Sequence, residues 1–134
     1  MRRLLSAART AQRRAHAPYS KFQVGAAILT DRGRVIGGCN VENASYGLTN
    51  CAERTAIFRI VAEGAGTPTV CLVVGPTIEP LTPCGACRQV LMEFNPEMRI
   101  ICVGRTGKTA EFTARELLPA AFEGDALNAA EKGE

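Results

Sequence analysis

The sequence predicts an α/β protein, a three-layer α/β/α sandwich around a mixed five-stranded sheet. Three observations support this fold class. Apolar runs of strand length alternate with segments of helical spacing, Gly and Pro separate them, and two of the strands adjoin a short turn. At 134 residues the chain is long enough for one hydrophobic core, and no internal repeat is visible. We therefore expect a single domain over residues 1–134.

The first segments predict a helix followed by a β-hairpin. Residues 4–16 are rich in Ala, Arg and Leu, which favours a helix that ends before Ala17-Pro18. Residues 22–30 and 34–40 are apolar runs on either side of Asp31-Arg32-Gly33, a sequence typical of a tight turn. These two strands are expected to pair with each other.

A second helix is predicted over residues 51–63, after a polar loop at residues 40–50. Apolar residues recur there at helical spacing, and either Asn50 or Thr49 is able to cap the first turn. Gly64 begins a glycine-containing stretch that ends the helix.

The second half of the chain predicts three strands and a third helix. Residues 69–75 are apolar enough for a strand buried on both faces, and residues 98–104 suit another strand. A helix is expected over residues 84–94, and residues 111–113 suit a short fifth strand. Residues 114–118 predict a helical turn that is followed by a polar tail.

The composition predicts a cytoplasmic protein that binds neither nucleic acid nor membranes. Hydrophobic residues make up 46% and charged residues 22% of the chain, and no apolar run reaches the length of a membrane span. The N-terminus lacks the sustained apolar stretch of a secretory signal. The net charge is only +3, and no aromatic residues are interleaved with the basic residues 2, 3, 9, 13 and 14.

Three cysteines and one glutamate form the most informative motif of the sequence. Cys51-Ala52-Glu53 is followed downstream by Cys84 and Cys87 in a Cys-x-x-Cys arrangement. Three protein ligands with an open fourth position are typical of a catalytic zinc, whereas a structural zinc usually has a fourth Cys or His. A glutamate beside such a site can move protons for a zinc-activated water. We therefore predict one Zn²⁺ per subunit, with Glu53 as the catalytic residue.

The charges around this motif favour the same prediction. Cys51 and Cys84 each stand at a predicted helix start, where the partial positive charge of the helix end favours thiolates. Three thiolates leave a zinc site with a net charge of about −1. We expect Arg54 and Arg88 to donate hydrogen bonds to the sulfurs, and Arg54 to tune the charge of the zinc site.

Other interpretations of these residues stay open at this point. Cys84 and Cys87 are compatible with a redox pair, or with a structural zinc site that recruits His16 as a fourth ligand. Glu53 is also compatible with a capping-box acid that serves Asn50.

Five motifs follow one another along the chain. They are Ala17-Pro18-Tyr19-Ser20-Lys21-Phe22, Val24-Gly25-Ala26-Ala27, Gly38-Cys39-Asn40-Val41-Glu42-Asn43-Ala44-Ser45-Tyr46, Cys51-Ala52-Glu53-Arg54 and Pro83-Cys84-Gly85-Ala86-Cys87-Arg88-Gln89. In these motifs and in their order, the chain resembles cytidine deaminases of the small, homotetrameric, zinc-dependent type. One departure is Gln23, where the family commonly has Pro. The resemblance implies a cytidine deaminase-like catalytic domain over nearly the whole chain.

The resemblance implies roles for individual residues. It assigns zinc binding to the three cysteines and proton transfer to the glutamate named above. Asn40 and Glu42 would hydrogen-bond the ribose 3′-hydroxyl, because an amide and a carboxylate together can donate to and accept from a hydroxyl. Phe22 would pack on the pyrimidine ring. The backbone near Ala44 and the N–H of Ala52 would hold the sugar and the base.

The resemblance also implies an assembly and a reaction. Tyr46 and Phe122 would complete the site across a subunit boundary of a homotetramer. The expected reaction is hydrolytic deamination of cytidine and 2′-deoxycytidine to uridine and 2′-deoxyuridine, with release of ammonia, in pyrimidine salvage. The alternatives are a blasticidin-type nucleoside deaminase and a non-catalytic zinc-stabilised interaction module. A nucleic-acid base deaminase would require a basic, aromatic binding surface that the sequence lacks.

Overall fold

The computed structural model describes residues 1–131, with side chains for residues 1–128. Within that range no helix is long and apolar enough to cross a membrane. The elements in chain order are α1 (Arg2–Arg13), β1 (Gly25–Thr30), β2 (Val35–Cys39), a 3₁₀ turn (Tyr46–Leu48), α2 (Ala52–Glu63), β3 (Pro68–Val74), α3 (Gly85–Phe94), β4 (Arg99–Val103), β5 (Thr109–Thr113), α4 (Ala114–Leu117) and α5 (Asp125–Glu131).

The five strands form one mixed sheet in the order β2-β1-β3-β4-β5. β3 and β4 are parallel and are joined through α3, and the other neighbouring strands are antiparallel. Helix α1 packs on one face of the sheet, and α2 and α3 pack on the other. The predicted α/β/α sandwich is therefore confirmed.

The hydrophobic core has two halves, one on each face of the sheet. Successive residues of a strand point to opposite faces, so each central strand contributes to both halves. On β1, Ala26 and Ile28 belong to the half covered by α2 and α3, whereas Ala27 belongs to the half that contains Leu4 of α1. This division predicts that α2 and α3 can build a site on one face of the sheet while α1 packs on the opposite face.

Helices α2 and α3 both begin beyond the same end of the strands. At this end Cys39, Gly25, Val74 and Val103 are paired in one row across four strands. The loop after β2 leads into α2, and the loop after β3 leads into α3. Gly38 lets α2 pack closely on the sheet, since a Cβ atom at residue 38 would lie 2.5 Å from the backbone nitrogen of Ala56.

The predicted elements are present with some shifted bounds. β1 begins at Gly25 rather than at residue 22, because Asn40 binds the preceding backbone: its side-chain oxygen accepts a hydrogen bond from the Val24 N–H at 2.9 Å. α1 ends at Arg13 rather than at residue 16, and β5 extends from Thr109 instead of starting at residue 111.

The prediction that Asn50 or Thr49 caps α2 was wrong. Neither Asn50 nor Thr49 caps α2, because Cys51 itself is the N-cap residue, with φ −79° and ψ 158°. The Asn50 amide instead donates to the Thr55 hydroxyl at 3.3 Å. The predicted polar tail also contains helix α5, whose Ala-containing sequence favours a helix although residues 125–128 are exposed.

Candidate active site

Three cysteine thiols meet where α2 and α3 begin, and we call this group the thiol cup (Cys51, Cys84 and Cys87). Cys51 is the N-cap of α2, Cys84 is the N-cap of α3, and Cys87 lies in the first turn of α3. The Sγ atom of Cys84 lies 3.7 Å from that of Cys51 and 3.5 Å from that of Cys87. All three sulfurs lie within 4.8 Å of one another, and no histidine joins this group among the described residues.

The thiol cup fits a zinc ion. Tetrahedral zinc with Zn–S bonds of about 2.3 Å requires neighbouring sulfurs about 3.8 Å apart. The two sulfur–sulfur distances of 3.7 and 3.5 Å are close to that value. The three residues could therefore bind one Zn²⁺ with little movement and leave its fourth position open.

The electrostatics of the thiol cup favour a thiolate. Hydrogen bonding with the Cys87 thiol, helped by the nearby Arg54 and Cys84, lowers the pKa of the Cys51 thiol to about 5. The same hydrogen bond raises the pKa of Cys87, so the first negative charge of the cup resides on Cys51. Two helix N-termini stabilise that charge further.

Arg54 provides the positive charge beside the thiol cup. Its Nη2 atom donates to the Cys51 Sγ atom at 3.4 Å, and this bond raises the pKa of the guanidinium. The buried Nε atom has no hydrogen-bond partner among the described residues. The predicted contact between Arg54 and a sulfur is thus present.

The prediction that Arg88 donates to the sulfurs was wrong. Its guanidinium donates to the carbonyl oxygens of Pro83 at 2.7 Å and Leu117 at 2.9 Å, and to the Thr82 hydroxyl at 3.0 Å. Arg88 therefore fixes the loop that leads into α3 and does not reach the thiol cup.

Glu53 is a buried acid at the start of α2, with only 5% of its surface exposed. Burial raises the pKa of its carboxyl to about 7. The alternative role as a capping-box acid for Asn50 does not fit, because the cap position is Cys51 and no side chain caps α2. A buried carboxyl without a structural partner of this kind is suited to proton transfer.

A cavity of about 290 Å³ opens beside the thiol cup and Glu53. Four of the predicted substrate or catalytic residues line it, namely Phe22, Asn40, Ala52 and Glu53, together with Cys51 and Cys84. The lining is mostly apolar with a few polar groups, as in sites for small molecules. The structure therefore brings the metal, proton-transfer and base-packing candidates together.

Six further residues line this cavity that the sequence did not predict as site residues. They are Val24, Thr49, Asn50, Val73, Leu81 and Thr82. Val73 reaches the cavity because it lies at the end of β3 and points to the face covered by α2 and α3. Leu81 and Thr82 precede Pro83 in the loop after β3, and the only signal in the sequence was their proximity to Cys84.

Asn40 and Glu42 bind the chain segment that carries Phe22. The Asn40 amide donates to the Phe22 carbonyl at 2.7 Å. The Glu42 carboxylate accepts from the backbone N–H groups of Tyr19 at 3.0 Å and Ser20 at 3.1 Å, and from the Ser20 hydroxyl. These bonds, the Ser20 hydroxyl first, lower the pKa of Glu42. Glu42 does not line the main cavity but borders a hollow of about 340 Å³, which shares Thr49 with it.

Besides Glu42, three predicted substrate contacts lie outside the main cavity, and we call these three the outer rim (Ala44, Tyr46 and Phe122). Tyr46 borders the hollow beside Glu42 and packs edge-to-face on Tyr19, with ring centroids 6.4 Å apart. Phe122 borders a separate cavity near α5, where its carbonyl accepts from Gln89 at 2.8 Å. Tyr46 is 76% exposed and Phe122 is 62% exposed. A single chain does not bring the outer rim to the thiol cup.

The fold and the site together define a class of protein. Three thiols at two helix N-termini, a buried glutamate and an adjoining cavity on an α/β/α sandwich are the parts of a zinc-dependent hydrolytic enzyme.

Comparison with known proteins identifies the family within this class. Residues 1–103 match the family described as "Cytidine and deoxycytidylate deaminase zinc-binding region". The chain belongs to this family. The predictions of the family, of an enzyme and of zinc as its cofactor are confirmed.

Individual relatives match along nearly the full chain. A cytidine deaminase of Halalkalibacterium halodurans is 49% identical over 126 residues, covering 93% of this chain and 96% of the relative. One from Sporosarcina psychrophila is 44% identical over 127 residues, covering 94% and 93%. The crystal structure of cytidine deaminase from Burkholderia pseudomallei superposes with a TM-score of 0.87 at 48% identity, covering 90% of this chain and 98% of that one.

Proposed function

We propose that this chain catalyses the hydrolytic deamination of cytidine and 2′-deoxycytidine, with release of ammonia. The observation that carries this proposal is the buried Glu53 beside the thiol cup, at the inner end of a cavity lined by Phe22 and Asn40. The names of the relatives support cytidine as the substrate. The catalytic domain would extend over residues 1–134 as a single unit.

Cys51, Cys84 and Cys87 would hold the zinc, which would supply a water molecule with a pKa lowered toward neutrality. Glu53 would accept a proton from the water that adds to C4 of the pyrimidine and would deliver that proton to ring N3. Glu53 then transfers a second proton, from the new hydroxyl group, to the exocyclic amine. The C4–N bond breaks, ammonia leaves, and the carbonyl of uridine forms. One residue suffices because each proton that it accepts is later donated.

Substrate binding divides between the base and the sugar. Phe22 lies on the cavity wall, where an aromatic ring can stack on a pyrimidine. Ala52 lines the cavity at the start of α2, where backbone N–H groups have no partner within the helix, and its N–H would bind a base oxygen near the metal. Asn40 and Glu42 would bind the ribose 3′-hydroxyl, with the backbone near Ala44 beside them.

The proposed enzyme works as a homotetramer whose sites are completed by the outer rim of neighbouring subunits. Tyr46 and Phe122 are large aromatic residues with most of their surface exposed, and single chains leave them away from the thiol cup. An assembly that buries them would bring aromatic surface to the open side of the cavity. Cytoplasmic pyrimidine salvage is the role that fits a nucleoside substrate.

One experiment separates this function from its alternatives. The purified protein is analysed for zinc and then for ammonia release from cytidine, 2′-deoxycytidine, cytosine, CMP and blasticidin S. We expect one zinc per chain and release from the two nucleosides. Release from blasticidin S alone would identify the blasticidin-type alternative. Stoichiometric zinc without release from any of the five compounds would identify a zinc-stabilised interaction module and defeat the proposal.

A further inference from the structure

Residues 19–24 carry Phe22, and we call them the Phe22 segment. This segment is hydrogen-bonded to Asn40, which follows β2, and to the end of α1. On the cavity side, Asn40 donates to the Phe22 carbonyl at 2.7 Å and accepts from the Val24 N–H at 2.9 Å. The backbone N–H of Asn40 also donates to the Val24 carbonyl at 3.3 Å. Asn40 thus binds the backbone at Phe22 and again two residues further on, at Val24.

The outer side of the Phe22 segment is bound to the end of α1 by two glutamines. Gln12, in the last turn of α1, donates from its side chain to the Gln23 carbonyl at 3.2 Å. The Gln23 side chain donates in the opposite direction, to the Ala15 carbonyl just beyond α1, also at 3.2 Å. The two bonds together fix the segment against the helix that supports the sheet from behind.

The backbone of the Phe22 segment shows why it needs external support. Lys21 has a φ of +61°, in the left-handed region that residues other than glycine rarely adopt. Such a conformation persists when surrounding contacts determine it. Lys21 directly precedes Phe22, so contacts that hold this turn also set the direction of the Phe22 ring.

The side-chain amide of Asn40 has capacity for two functions. An Asn amide offers two donor hydrogens and two acceptor lone pairs. The Phe22 carbonyl and the Val24 N–H use one of each. One donor and one acceptor remain for a sugar hydroxyl, so support of the segment and sugar binding are compatible but separable.

We propose that Asn40, Gln12 and Gln23 are positioning residues for the cavity wall: they hold the Phe22 segment and thereby set how tightly the site binds the pyrimidine ring. This inference rests on the proposed deaminase function. It assigns Asn40 a role that does not depend on the ribose 3′-hydroxyl, and it gives Gln12 and Gln23 roles although neither lines the main cavity.

Substrates with and without the 3′-hydroxyl separate the two functions of Asn40. Asn40→Asp keeps the acceptor for Val24 but replaces the donor to Phe22 with an oxygen that repels the carbonyl. We expect KM to rise about tenfold for both cytidine and 3′-deoxycytidine, with kcat changed less than about twofold, because one hydrogen bond that supports ground-state binding is lost.

Gln12→Met and Gln23→Met should each raise KM about two- to fivefold on both substrates.

Asn95, the C-cap residue of α3, offers a matched control because it bonds the first residue of β3, at the end of the strand away from the thiol cup. Its side-chain amide likewise donates to a backbone carbonyl, that of Pro68, at 2.9 Å and accepts from a backbone N–H, that of Glu97, at 3.0 Å. Asn95→Asp should lower thermal stability without changing KM. A rise in KM as large as that of Asn40→Asp would show that the effect is general destabilisation, and it would overturn the proposal.

Hydrogen exchange provides a readout that does not depend on catalysis. With zinc content unchanged, the Phe22 amide, which donates to the Ser20 hydroxyl within the segment, should exchange about tenfold faster in Asn40→Asp, whereas Asn95→Asp should leave it unchanged. If wild type releases no ammonia from cytidine, the proposed function fails, and the exchange rates still decide whether the three residues position the segment. Unchanged exchange, or an Asn40→Asp effect on KM that disappears with 3′-deoxycytidine, overturns the inference.

Discussion

The thiol cup and the outer rim belong to the same proposed site but are built in opposite ways. Cys51 and Cys84 stand at the ends of helices that pack on the sheet, and Cys87 is fully buried. Tyr46 and Phe122 lie on surface segments and keep 76% and 62% of their area exposed. One chain brings the three thiols together by itself, whereas the substrate contacts proposed at the rim would need a second surface.

The physical reason for this difference lies in what each region contributes to folding. Closely placed thiols at two helix N-termini need rigid support, which Gly38 and the core beneath α2 provide. Large exposed aromatic rings contribute little to the stability of a single chain, but they supply apolar area when they are buried between subunits. Variants in the two regions should therefore affect zinc and substrate separately.

Removal of one ligand from the thiol cup should have the largest effect. Cys84→Ala leaves two thiols. Loss of a residue that only hydrogen-bonds a metal ligand lowers metal affinity by up to about 100-fold, so loss of a ligand itself should lower zinc affinity by more than about 100-fold. Turnover should fall with the zinc content, measured by metal analysis after dialysis. Cys39→Ala is the matched control, because Cys39 is a half-buried cysteine outside the cup. Full zinc content in Cys84→Ala would disprove the ligand assignment.

Removal of the positive charge beside the cup should have an intermediate effect. Arg54→Met keeps the apolar stem but removes the donor to the Cys51 sulfur, so zinc should bind about 10- to 100-fold more weakly. Competition with a chelator measures this affinity. Arg59→Met is a control on the same helix, since Arg59 binds Glu63 and the Gly37 carbonyl and no thiol. Equal zinc affinity in wild type and Arg54→Met would rule out the charge-tuning role.

Truncation at the outer rim should have the smallest effect and should spare the metal. Phe122→Ala should raise KM for cytidine about tenfold at unchanged zinc content, because part of the apolar site surface is lost. Sedimentation should show a wild-type tetramer. Phe94→Ala, at the C-terminal end of α3 and 38% exposed, serves as the comparison. A fully active wild-type monomer, insensitive to Phe122→Ala, would contradict the division between the two regions.

The sequence predicted the thiol cup better than it predicted the rim. Cys-x-x-Cys spacing and the Cys51-Ala52-Glu53 motif are local, and the helix starts that bring them together follow from hydrophobic periodicity. The positions of Tyr46 and Phe122 depend on loops and on the assembly, neither of which periodicity determines. Their roles therefore rest on resemblance and stay predictions.

The predictions that the structure corrects or extends differ from it for separate physical reasons. The N-cap of α2 is Cys51 rather than Asn50. Statistical preferences at helix starts favour side chains that cap the helix, whereas the side chain at this N-cap is a thiol of the thiol cup. Helix α5 was missed because its exposed residues lack an apolar stripe. Arg88 turned away from the sulfurs because three oxygen acceptors lie within its reach.

The central claim is that Glu53 moves protons at a zinc centre that the cysteines alone hold. Its most direct test compares zinc content and cytidine turnover in wild type and Glu53→Gln, which keeps the shape of the side chain but cannot accept the proton. We predict one zinc per chain in both proteins and a kcat about 10² to 10⁴ times lower in the variant. Full zinc content with wild-type turnover in Glu53→Gln would contradict the account.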